Sequence, residues 1–421
     1  MYHGDISIPE TCEVFLSEMD KGLAGKKSSL AMLPTYLEIE RELPRDKPVI
    51  VMDAGGTNFR VATVTFTRAG VAKIGNFKVF PMPGIAAEVG KDEFFGTMAG
   101  YVKDIAGKSP NVGFCFSYPI EMFPSKDGRA LYFSKEIKAP EAAGQMIGES
   151  MGQALNRLGL ADPKHFVLLN DTVATLLAGR AETSGRRYDS FIGFILGTGT
   201  NTAYVEHNRH IKKARDLDPA KSQIINVESG GFGKAPRGKI DKAFDRASVS
   251  PGVNTFEKMI SGAYIGPLCL VTALDAAKAG LFSPATAARI GGLALATTKD
   301  ISNFLSCPEG GDSPLSLALA GAPEEDVTAL YYLVDALVER AAKLTAINLS
   351  SVSLKSDKGH NPCRPICIVA EGTTFYRLKS LRPKVEYYLK QYLVDKKHVH
   401  YEIVTVESAT LIGAAIAGLT N

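Results

Sequence analysis

The chain has 421 residues, of which 45% are hydrophobic and 22% are charged, and its formal net charge is +3. This composition is typical of a globular protein, and the length suits two domains better than one core. The small, evenly spread charge and the lack of a Lys/Arg tract argue against a nucleic-acid partner. No apolar run approaches the roughly 18 residues of a membrane span, so none is expected.

The cysteines and the first residues indicate a reducing compartment. The segment 1–15 lacks a basic start followed by an apolar core, so we expect no signal peptide. The six cysteines are scattered and have no histidine pair at zinc spacing, so we expect free, buried thiols and no zinc site. We therefore expect a cytoplasmic protein, and the sequence leaves its oligomeric state open.

The first part of the chain predicts a helix and then a sheet. Residues 10–43 are expected to be helical, up to a charged, proline-marked break at 44–48. The stretch 48–66 is apolar and β-branched except for one glycine-containing break, which predicts a strand, a tight turn and a second strand. Residues 71–80 continue the sheet, and apolar positions at helical spacing predict a helix over 92–105.

The turn between these two strands carries groups that suit a polyphosphate. Gly55 and Gly56 let backbone amides approach an anion, and Thr57 adds a hydroxyl. Arg60 adds a positive charge, and Asp53 could hold a metal through water. Taken alone, the turn is interpreted equally well as a hairpin that binds no ligand.

A carboxylate directly follows a later apolar strand. The next predicted elements are a strand, a helix and a strand, over residues 111–118, 141–158 and 166–169. Asp171 comes directly after the last of them, at a strand end of the kind where α/β folds bind ligands, with no neighbouring cation in sequence. Capping of a helix predicted over 173–181 by Asn170 or Asp171 is a second interpretation, and it is compatible with catalysis.

The glycine turn occurs a second time. Residues 191–206 again read as an apolar strand, a turn and an apolar strand, and the turn is Gly197-Thr198-Gly199-Thr200-Asn201. Neither copy is a P-loop, because no G-x-x-x-x-G-K-[ST] is present, and neither is followed by the helix of a Rossmann fingerprint. Two such hairpins suggest two related half-domains that face one nucleotide.

The second half of the chain is mostly helical. Helices are expected to dominate residues 256–349, and the clearest runs over 324–349. The closing elements are two apolar strands and a helix, at 365–370, 401–406 and 408–419. Strands that alternate with helices predict an α/β fold.

Isolated polar groups near the turns suit a polyhydroxy ligand. Glu228 and Glu257 stand beside apolar or glycine neighbours, and a solvated loop acid is the plainer interpretation of each one alone. Together with amide, hydroxyl and ammonium groups they would supply the directed hydrogen bonds that read a sugar. These further groups are Ser117, Lys135, Asn170 and Asn201.

Segments along the chain resemble those of the hexokinase family, in the family's order. MLPTY (32–36) and DAGGTNFRV (53–61) resemble its N-terminal segment and first phosphate loop. LLNDTVATLLA (168–178) resembles the segment with the catalytic aspartate, and ILGTGTNTAYVE (195–206) resembles the second phosphate loop. The family's sugar-binding segments are matched by GFCFSYP (113–119), FSKEIKAP (133–140), INVESGGFG (225–233) and PGVNTFEKMISGAYIG (251–266). The resemblance implies a two-domain, actin-like (ribonuclease H-like) α/β fold with sugar and ATP in an interdomain cleft.

The resemblance also implies an activity and residue roles. The activity is phosphorylation of a hexose, first of all glucose, at its 6-hydroxyl, as in glycolysis. Asp171 would be the general base for that hydroxyl. The sugar would be bound by Ser117, Ser134, Lys135, Asn170, Asn201, Glu228 and Glu257. Asp53 would hold Mg²⁺ through water. ATP would be bound by Asp53, Gly55, Gly56, Thr57, Asn58, Arg60, Gly197, Thr198, Gly199, Thr200, Gly372 and Thr410.

Domain limits follow from the same resemblance. Residues 46–170 and 408–421 would form a small domain, and residues 1–45 and 171–407 a large one, with a hinge near 170–172. Closure of the cleft on the sugar would exclude water and suppress hydrolysis of ATP.

The sequence departs from the family pattern at three places. Ser134–Ile137 stands where the family has T-K-G-F, and Val253-Asn254 stands where it has Gln-Gln. An adenosine segment D-G-S-G-x-G, expected at 408–413, keeps only Thr410 and Gly413. The alternatives are a kinase for another hexose or with another phosphoryl donor, a sugar sensor that binds without turnover, and an actin-like ATPase that needs no sugar.

Overall fold

The computed structural model describes residues 2–133, 137–160, 163–181 and 185–421. The helices of these residues are α1 (Ile8–Leu23), α2 (Lys91–Val102), α3 (Ile147–Arg157), α4 (Asp171–Ala178), α5 (Lys239–Ala247), α6 (Glu257–Ile260), α7 (Ile265–Lys278), α8 (Pro284–Gly291), α9 (Thr298–Ser306), α10 (Pro314–Ala318), α11 (Glu324–Ser356), α12 (Thr373–Arg377), α13 (Leu381–Leu389) and α14 (Ala409–Thr420). The strands are β1 (Leu33–Pro34), β2 (Pro48–Ala54), β3 (Asn58–Phe66), β4 (Ala72–Pro81), β5 (Asn111–Phe116), β6 (Ile120–Met122), β7 (Gly128–Ala130), β8 (His165–Leu169), β9 (Ser190–Leu196), β10 (Thr200–His207), β11 (Ser222–Asn226), β12 (Ile366–Glu371) and β13 (Tyr401–Val404). Short 3₁₀ turns occur at His3–Asp5, Lys103–Lys108, Pro140–Ala142, Asn208–His210 and Ser229–Gly231, and a π-helical turn at Lys390–Val394.

The first sheet has the strand order β4-β3-β2-β5-β8. β2, β3 and β4 are antiparallel neighbours, whereas β5 pairs in parallel with β2 and β8 in parallel with β5. Residues 49–52 are fully buried, because helices cover both faces of the sheet around them. The predicted hairpin over 48–66 and its extension at 71–80 are confirmed.

The second sheet has the order β1-β11-β10-β9-β12-β13. β9, β10 and β11 are antiparallel neighbours, and β12 and β13 continue the sheet in parallel with β9. Apart from the short β1, this sheet repeats the plan of the first one: three antiparallel strands and then two parallel ones. The shared plan supports the prediction of two related halves, each built around a glycine-turn hairpin.

Two helices lie between the sheets. α14 packs on β2, β5 and β8 of the first sheet, α4 packs on β9, β10 and β12 of the second, and the two helices pack on each other. Their buried residues, among them Val173, Leu177 and Ala414, belong to one apolar cluster that reaches both sheets. The outer face of the first sheet is covered by α2 and α3, and that of the second by α11, against which α1 packs. The division into domains at the predicted residue limits stays a prediction.

The predicted helix over 10–43 is wrong beyond residue 23. α1 ends at Leu23, and the segment after it pairs Leu33 with Asn226 as a short strand on β11. Met32 and Tyr36 have positive φ angles of 49° and 59°, which a helix does not allow. The apolar residues of this segment are buried by the second sheet and by α14, so their spacing reflects tertiary packing and not a helical face.

Other predicted helices differ only at their ends. The long helix expected over 324–349 is α11, which continues to Ser356. The helix expected from residue 141 begins at Ile147, because a 3₁₀ turn at 140–142 comes first. The helix expected over 408–419 is α14, which begins at Ala409.

The cysteines are all free thiols, as predicted. Four of them are buried, namely Cys12, Cys115, Cys269 and Cys367. Cys307 and Cys363 are exposed, contrary to the prediction, because Cys307 follows the end of α9 and Cys363 lies in a tight turn before β12. Among the described residues, none of the helices combines the length and the apolar character that crossing a bilayer requires.

Candidate active site

The predicted site residues lie where parallel strands end. Asp53 is near the end of β2, Ser117 follows β5, and Asp171 follows β8. These strands run in parallel, so their carboxyl ends lie at the same edge of the first sheet. Gly197 and Gly372 occupy the equivalent places after β9 and β12, which are parallel strands of the second sheet.

Asp171 is the first residue of α4, and its neighbour Asn170 caps the helix. The Asn170 side-chain oxygen accepts a hydrogen bond of 2.9 Å from the Thr172 backbone N–H. The same N–H donates to Asp171 Oδ1 at 2.7 Å, and the Thr172 hydroxyl donates to that oxygen at 3.2 Å. The helix therefore begins two residues earlier than predicted, and the end of β8 fixes the direction in which the carboxylate points.

The charge state of Asp171 is set by burial and by its neighbours. Burial raises its pKa, the hydrogen bonds from Thr172 oppose the rise, and the negative charge of Asp53 adds to it. A hydrogen bond with the Ser117 side chain also favours the ionised form. A carboxylate with a raised pKa is a stronger proton acceptor than an ordinary surface aspartate, as a general base needs to be.

Asp53 is buried, with 2% of its surface exposed, and is held by two donors. Its Oδ2 accepts a hydrogen bond of 2.8 Å from Arg60, which lies opposite it on β3, and one of 3.2 Å from the Thr410 hydroxyl. Arg60, which the sequence predicted to meet phosphate, thus forms an ion pair with Asp53. Through this bond Thr410 contacts the residues that lead into the first glycine turn.

The first glycine turn is held by hydrogen bonds, and three of its residues are exposed to solvent. The Gly55 N–H donates to the Asn58 carbonyl at 3.0 Å, which closes the turn. The Tyr118 hydroxyl donates to the Gly55 carbonyl at 2.7 Å. Gly56, Thr57 and Asn58 are exposed. Sequence reasoning missed Tyr118, because nothing in the local pattern indicates a contact with a turn more than sixty residues earlier.

A cluster of amides and one carboxylate lies at the start of β10 and the end of β11. Asn201 donates to Asn226 at 2.7 Å, and Asn226 donates to Glu228 Oε1 at 2.8 Å. Glu228 has a positive φ of 57°, which turns the chain sharply after the strand. Asn226 was missed, although its spacing of two from Glu228 would place both side chains on one face of an extended chain.

Glu257 supports the second glycine turn. Its Oε2 accepts a hydrogen bond of 3.0 Å from the Thr200 backbone N–H. A Cβ atom at Gly199 would lie 2.6 Å from the same oxygen, so a side chain there would move the carboxylate away from the turn. The isolated acid of the sequence is therefore a structural neighbour of the turn and not a solvated loop acid.

The acidic groups of the two halves influence one another. Burial raises the pKa of Glu228, and the charges of Asp171 and Glu257 raise it further. Burial also raises the pKa of Glu257. The carboxylates at the start of α4, after β11 and at the start of α6 therefore share one poorly solvated region, which lies beside both glycine turns.

A cavity of about 520 Å³ adjoins the second turn on its other side. The Gly197 carbonyl accepts hydrogen bonds of 2.8 Å from the Thr374 hydroxyl and from the Gly262 N–H, which fix the wall between turn and cavity. This volume is in the range of small-molecule sites. Its lining is Thr198, Gly262, Ala263, Thr298, Lys299, Ser302, Asn303, Thr373, Thr374, Arg377 and Leu378.

The described site does not include two groups of predicted residues. Ser134 and Lys135 lie outside the described residues. The segment 408–413, expected to contact adenosine, is absent from the described lining of the cavity beside the second turn. That lining instead includes residues next to Gly372, which the sequence did predict.

The chain matches known family models over most of its length. Two models, each described as Hexokinase, match residues 5–181 and 191–420. Hexokinase-1 of Oryza sativa subsp. japonica is 27% identical over 444 residues, which span 98% of this chain and 88% of that protein. Hexokinase-3 of Homo sapiens is 30% identical over 381 residues, which span 86% of this chain and 40% of that protein.

Solved structures show the same fold. A hexokinase from Schistosoma mansoni complexed with glucose has a TM-score of 0.77 at 21% identity, over 99% of this chain and 96% of that one. The ROK hexokinase from Thermus thermophilus has a TM-score of 0.53 at 15% identity, over 88% of this chain and 97% of that one. The likeness confirms the predicted two-domain, actin-like α/β fold.

Proposed function

The chain belongs to the hexokinase family, and on this premise we propose that it transfers the terminal phosphoryl group of ATP to the 6-hydroxyl of a hexose, with Asp171 as general base. One observation supports the proposal above all others. Asp171 stands at the start of α4, where the charge of Asp53 beside the first glycine turn acts on it and its own charge acts on Glu228 of the amide cluster. A base in that position has phosphate-binding backbone on one side and sugar-binding groups on the other.

The nucleotide would lie across the two glycine turns. Exposed Gly56, Thr57 and Thr198 offer backbone N–H groups and hydroxyls to phosphate oxygens. The cavity beside Gly197 would take the adenosine, since its hydroxyl groups and the apolar side of Leu378 suit a base and a ribose. On this assignment the departures from the family pattern at 408–413 leave the adenosine contacts intact, so ATP is the donor we propose.

A magnesium ion fits the oxygen donors near the first turn. Mg²⁺ commonly takes one or two carboxylates and keeps waters and substrate phosphates as its other ligands. Asp53 would hold it through water, and its Oδ2 is oriented for this by Arg60 and Thr410. When bound, the ion supplies neutralisation of the charge on the transferred phosphoryl group.

The sugar would be held by amide and carboxylate groups. Asn201, Glu228 and Glu257 would bind vicinal hydroxyls, and Asn170 and Ser117 would position the 6-hydroxyl beside Asp171. Asn226 holds both Asn201 and Glu228, so we add it as a residue that orients the sugar-binding groups. Ser134 and Lys135 stay predicted sugar ligands. Glucose is the hexose that we propose first.

Proton transfer follows from this placement. Asp171 would accept the proton of the 6-hydroxyl as the oxygen attacks phosphorus, and its raised pKa matches that task. Water fits the same position as the hydroxyl, so the sugar must close the cleft for transfer to outcompete hydrolysis. The two sheets contact each other through α4 and α14, which lets ligands on both halves affect closure.

The test is ADP release with glucose, mannose, fructose and N-acetylglucosamine, in the wild type and in Asp171→Asn. Asparagine keeps an oxygen that can accept from Thr172, so the helix start is retained. We expect one sugar to drive turnover, and kcat to fall by about 10²–10⁴-fold in the variant with sugar binding unchanged. Asp312 is an exposed aspartate in the loop before α10. Asp312→Asn serves as the matched control and should keep full activity.

Each other outcome identifies an alternative. Sugar binding without turnover in the wild type would favour a sensor on this scaffold. Turnover of a sugar with a phosphoryl donor other than ATP, and none with ATP, would indicate a kinase that uses that other donor. Hydrolysis of ATP that needs no sugar would favour an actin-like ATPase. Full activity of Asp171→Asn would refute the assignment of the base.

A further inference from the structure

A second cavity, of about 670 Å³, lies at the far end of the β3–β4 hairpin from the first glycine turn. Its walls are the turn at 69–72, the end of α4 with Arg180, the start of α14 and Arg45. Arg180 follows α4 at the opposite end from Asp171, and Arg45 precedes β2, whose other end carries Asp53. The proposed catalytic residues are therefore not part of this cavity.

Among the described residues, the two arginines of the cavity have no carboxylate partner. Arg180 donates from Nη2 to the Arg41 carbonyl at 2.6 Å, but its buried Nη1 has no hydrogen-bond partner. The Arg45 guanidinium lies over the turn, where a Cβ at Gly70 would be 3.3 Å from its Nη1. Within the part of the chain that the structure describes, neither arginine takes part in an ion pair.

Two unpaired positive charges in one wall favour an anion. Burial lowers the pKa of Arg180, and the positive charge of Arg45 lowers it further, so the two groups repel each other. Arg180 is partly buried, and a guanidinium without a counter-ion is less stable there than in water, so a bound anion would stabilise it. Among the described residues of the lining, the one carboxylate is Glu407, which is exposed on the segment before α14.

The rest of the lining indicates what else the ligand carries. Val71, Ile74, Val406 and Ile412 form apolar walls next to the arginines. A free inorganic ion would leave these walls unused, and the volume exceeds what such an ion fills. The lining thus suits a small molecule with a compact anionic group and a less polar body.

We propose that this cavity binds a small phosphate-bearing metabolite, with Arg180 and Arg45 as its phosphate ligands. Guanidinium groups present planar, paired N–H donors that match phosphate oxygens, and two of them match a dianion better than a single carboxylate. The site is distinct from both glycine turns, so it would be a second phosphate site of the protein and not a part of the nucleotide site.

Occupancy of this site would affect the proposed active site through two contacts. Arg180 lies just beyond the end of α4, which begins with Asp171, and Ser408 lies two residues before Thr410, which bonds to Asp53. A ligand that contacts both segments would change the freedom of both carboxylates. Only this effect on turnover rests on the proposed function, whereas binding can be measured without it.

The test uses inorganic phosphate as the probe, without Mg²⁺ or nucleotide and at constant ionic strength. The unfolding midpoint of the wild type is measured as phosphate replaces chloride, and then that of Arg180→Gln and Arg45→Gln. We expect the wild-type midpoint to rise with phosphate, and the half-saturating concentration to increase at least about tenfold in each variant. Arg68→Gln is the matched control, because Arg68 is exposed, lies next to the same turn and pairs with Asp46.

The outcomes separate this site from the glycine turns. An unchanged phosphate response in both variants would place the binding at the glycine turns and overturn the proposal, as would the absence of any response in the wild type. Arg45 is exposed, so its replacement leaves the core intact and keeps the test valid if Arg180→Gln folds poorly. Equal weakening in Arg68→Gln would mean non-specific attraction to positive charge and would also overturn it.

Discussion

Thr410 and Asp53 are hydrogen-bonded at 3.2 Å although they lie 357 positions apart in the chain. The same Oδ2 atom of Asp53 accepts a bond of 2.8 Å from Arg60. One donor comes from the neighbouring strand and the other from the first turn of α14. The carboxylate that we expect to hold magnesium is therefore oriented by two elements that are distant in sequence.

Replacing Thr410 with valine tests this orientation. The change keeps the shape of the side chain and removes its hydroxyl, which should destabilise the protein by about 1 kcal/mol. We expect a roughly tenfold lower kcat, because Asp53 loses one of its two donors, and a higher Mg²⁺ concentration for half-maximal activity. Steady-state kinetics at varied Mg²⁺, together with a denaturant titration, measures both effects.

Thr420→Val is the control for this variant. Thr420 lies at the other end of the same helix, and its hydroxyl donates to the Ile416 carbonyl and accepts from the Asn421 side-chain amide. A similar loss of stability with an unchanged Mg²⁺ requirement is expected there. If Thr410→Val behaved in the same way as this control, Thr410 would have no role in orienting Asp53 for the metal.

The pH dependence of turnover should reveal the environment of Asp171. The proposed base acts only when ionised, so kcat/KM should be lost as the pH falls through its pKa, and burial raises that pKa above the usual value of about 3.9. The charge of Asp53 adds to the rise, so Asp53→Asn should move the acidic limb to lower pH while also lowering the rate. A pH–rate profile of each protein measures the limb.

Asp46→Asn provides the comparison, because Asp46 is an exposed carboxylate of the same half, in an ion pair with Arg68. Its acidic limb should match that of the wild type. A wild-type limb near the value of an ordinary aspartate, or one that Asp53→Asn leaves in place, would contradict the proposed environment.

Glu228 should reduce stability in the absence of sugar. Its folded-state pKa is raised, chiefly by burial, so the folded protein binds the proton more tightly than the unfolded chain does. Stability should therefore fall as the pH rises from the unfolded pKa of about 4.3 through the folded pKa. Glu228→Gln should raise the free energy of unfolding at neutral pH by about 1 kcal/mol, and this gain should disappear at a pH well below about 4.3, where the wild-type side chain is protonated in both states.

Thermal unfolding at several pH values, with and without glucose, would measure this effect. Glucose should stabilise the wild type more than the variant, because the carboxylate is a proposed sugar ligand. Glu42→Gln, at an exposed position, should change the midpoint little at any pH. A less stable Glu228→Gln at neutral pH would mean that the hydrogen bond with Asn226 outweighs the cost of burying the charge.

Gly372 should be essential for the nucleotide side of the site. Its φ is 113°, and a Cβ atom would lie 2.3 Å from the Leu196 carbonyl oxygen, directly before the second glycine turn. Gly372→Ala should cost more than about 1 kcal/mol and shift that turn, so we expect a higher KM for ATP and an unchanged affinity for the sugar. Gly291→Ala is the control, since a Cβ there meets no atom within 4 Å. Unaltered ATP kinetics in Gly372→Ala would argue against nucleotide binding at this turn.

Local patterns were sufficient to predict the parts of the fold whose causes are local. Alternating β-branched residues around a glycine turn predict a hairpin wherever it is placed, and both hairpins are present. The position of Asp171 follows from the same logic, because an apolar strand that ends in a polar residue brings that residue to the sheet edge. The resemblance to a family added the order of these segments and the fold.

Contacts between distant segments could not be predicted from such patterns. Asn226 contacts Asn201 because β10 and β11 are paired, and this pairing is not visible in the local sequence. Tyr118 likewise reaches Gly55 because β5 lies beside β2. The cavity beside Gly197 is lined by two helices, α9 and α12, and by the loop between α6 and α7, which are far apart in the chain. The prediction of a helix for the segment after α1 was wrong because the apolar residues of this segment pack in two different clusters and do not form one helical face. The roles assigned to the site residues stay predictions.

The position of α14 has a consequence for how the chain acquires its structure during synthesis. The strand β2 is made early, but the helix that covers its inner face comes more than 350 residues later. Until then, the apolar residues Val49 and Val51 lack the cover of α14, and a nascent first sheet would resemble an unprotected folding intermediate. The first half should therefore depend on chaperones while the ribosome completes the second half, and its refolding in vitro should be slow, because contacts of such long range form last.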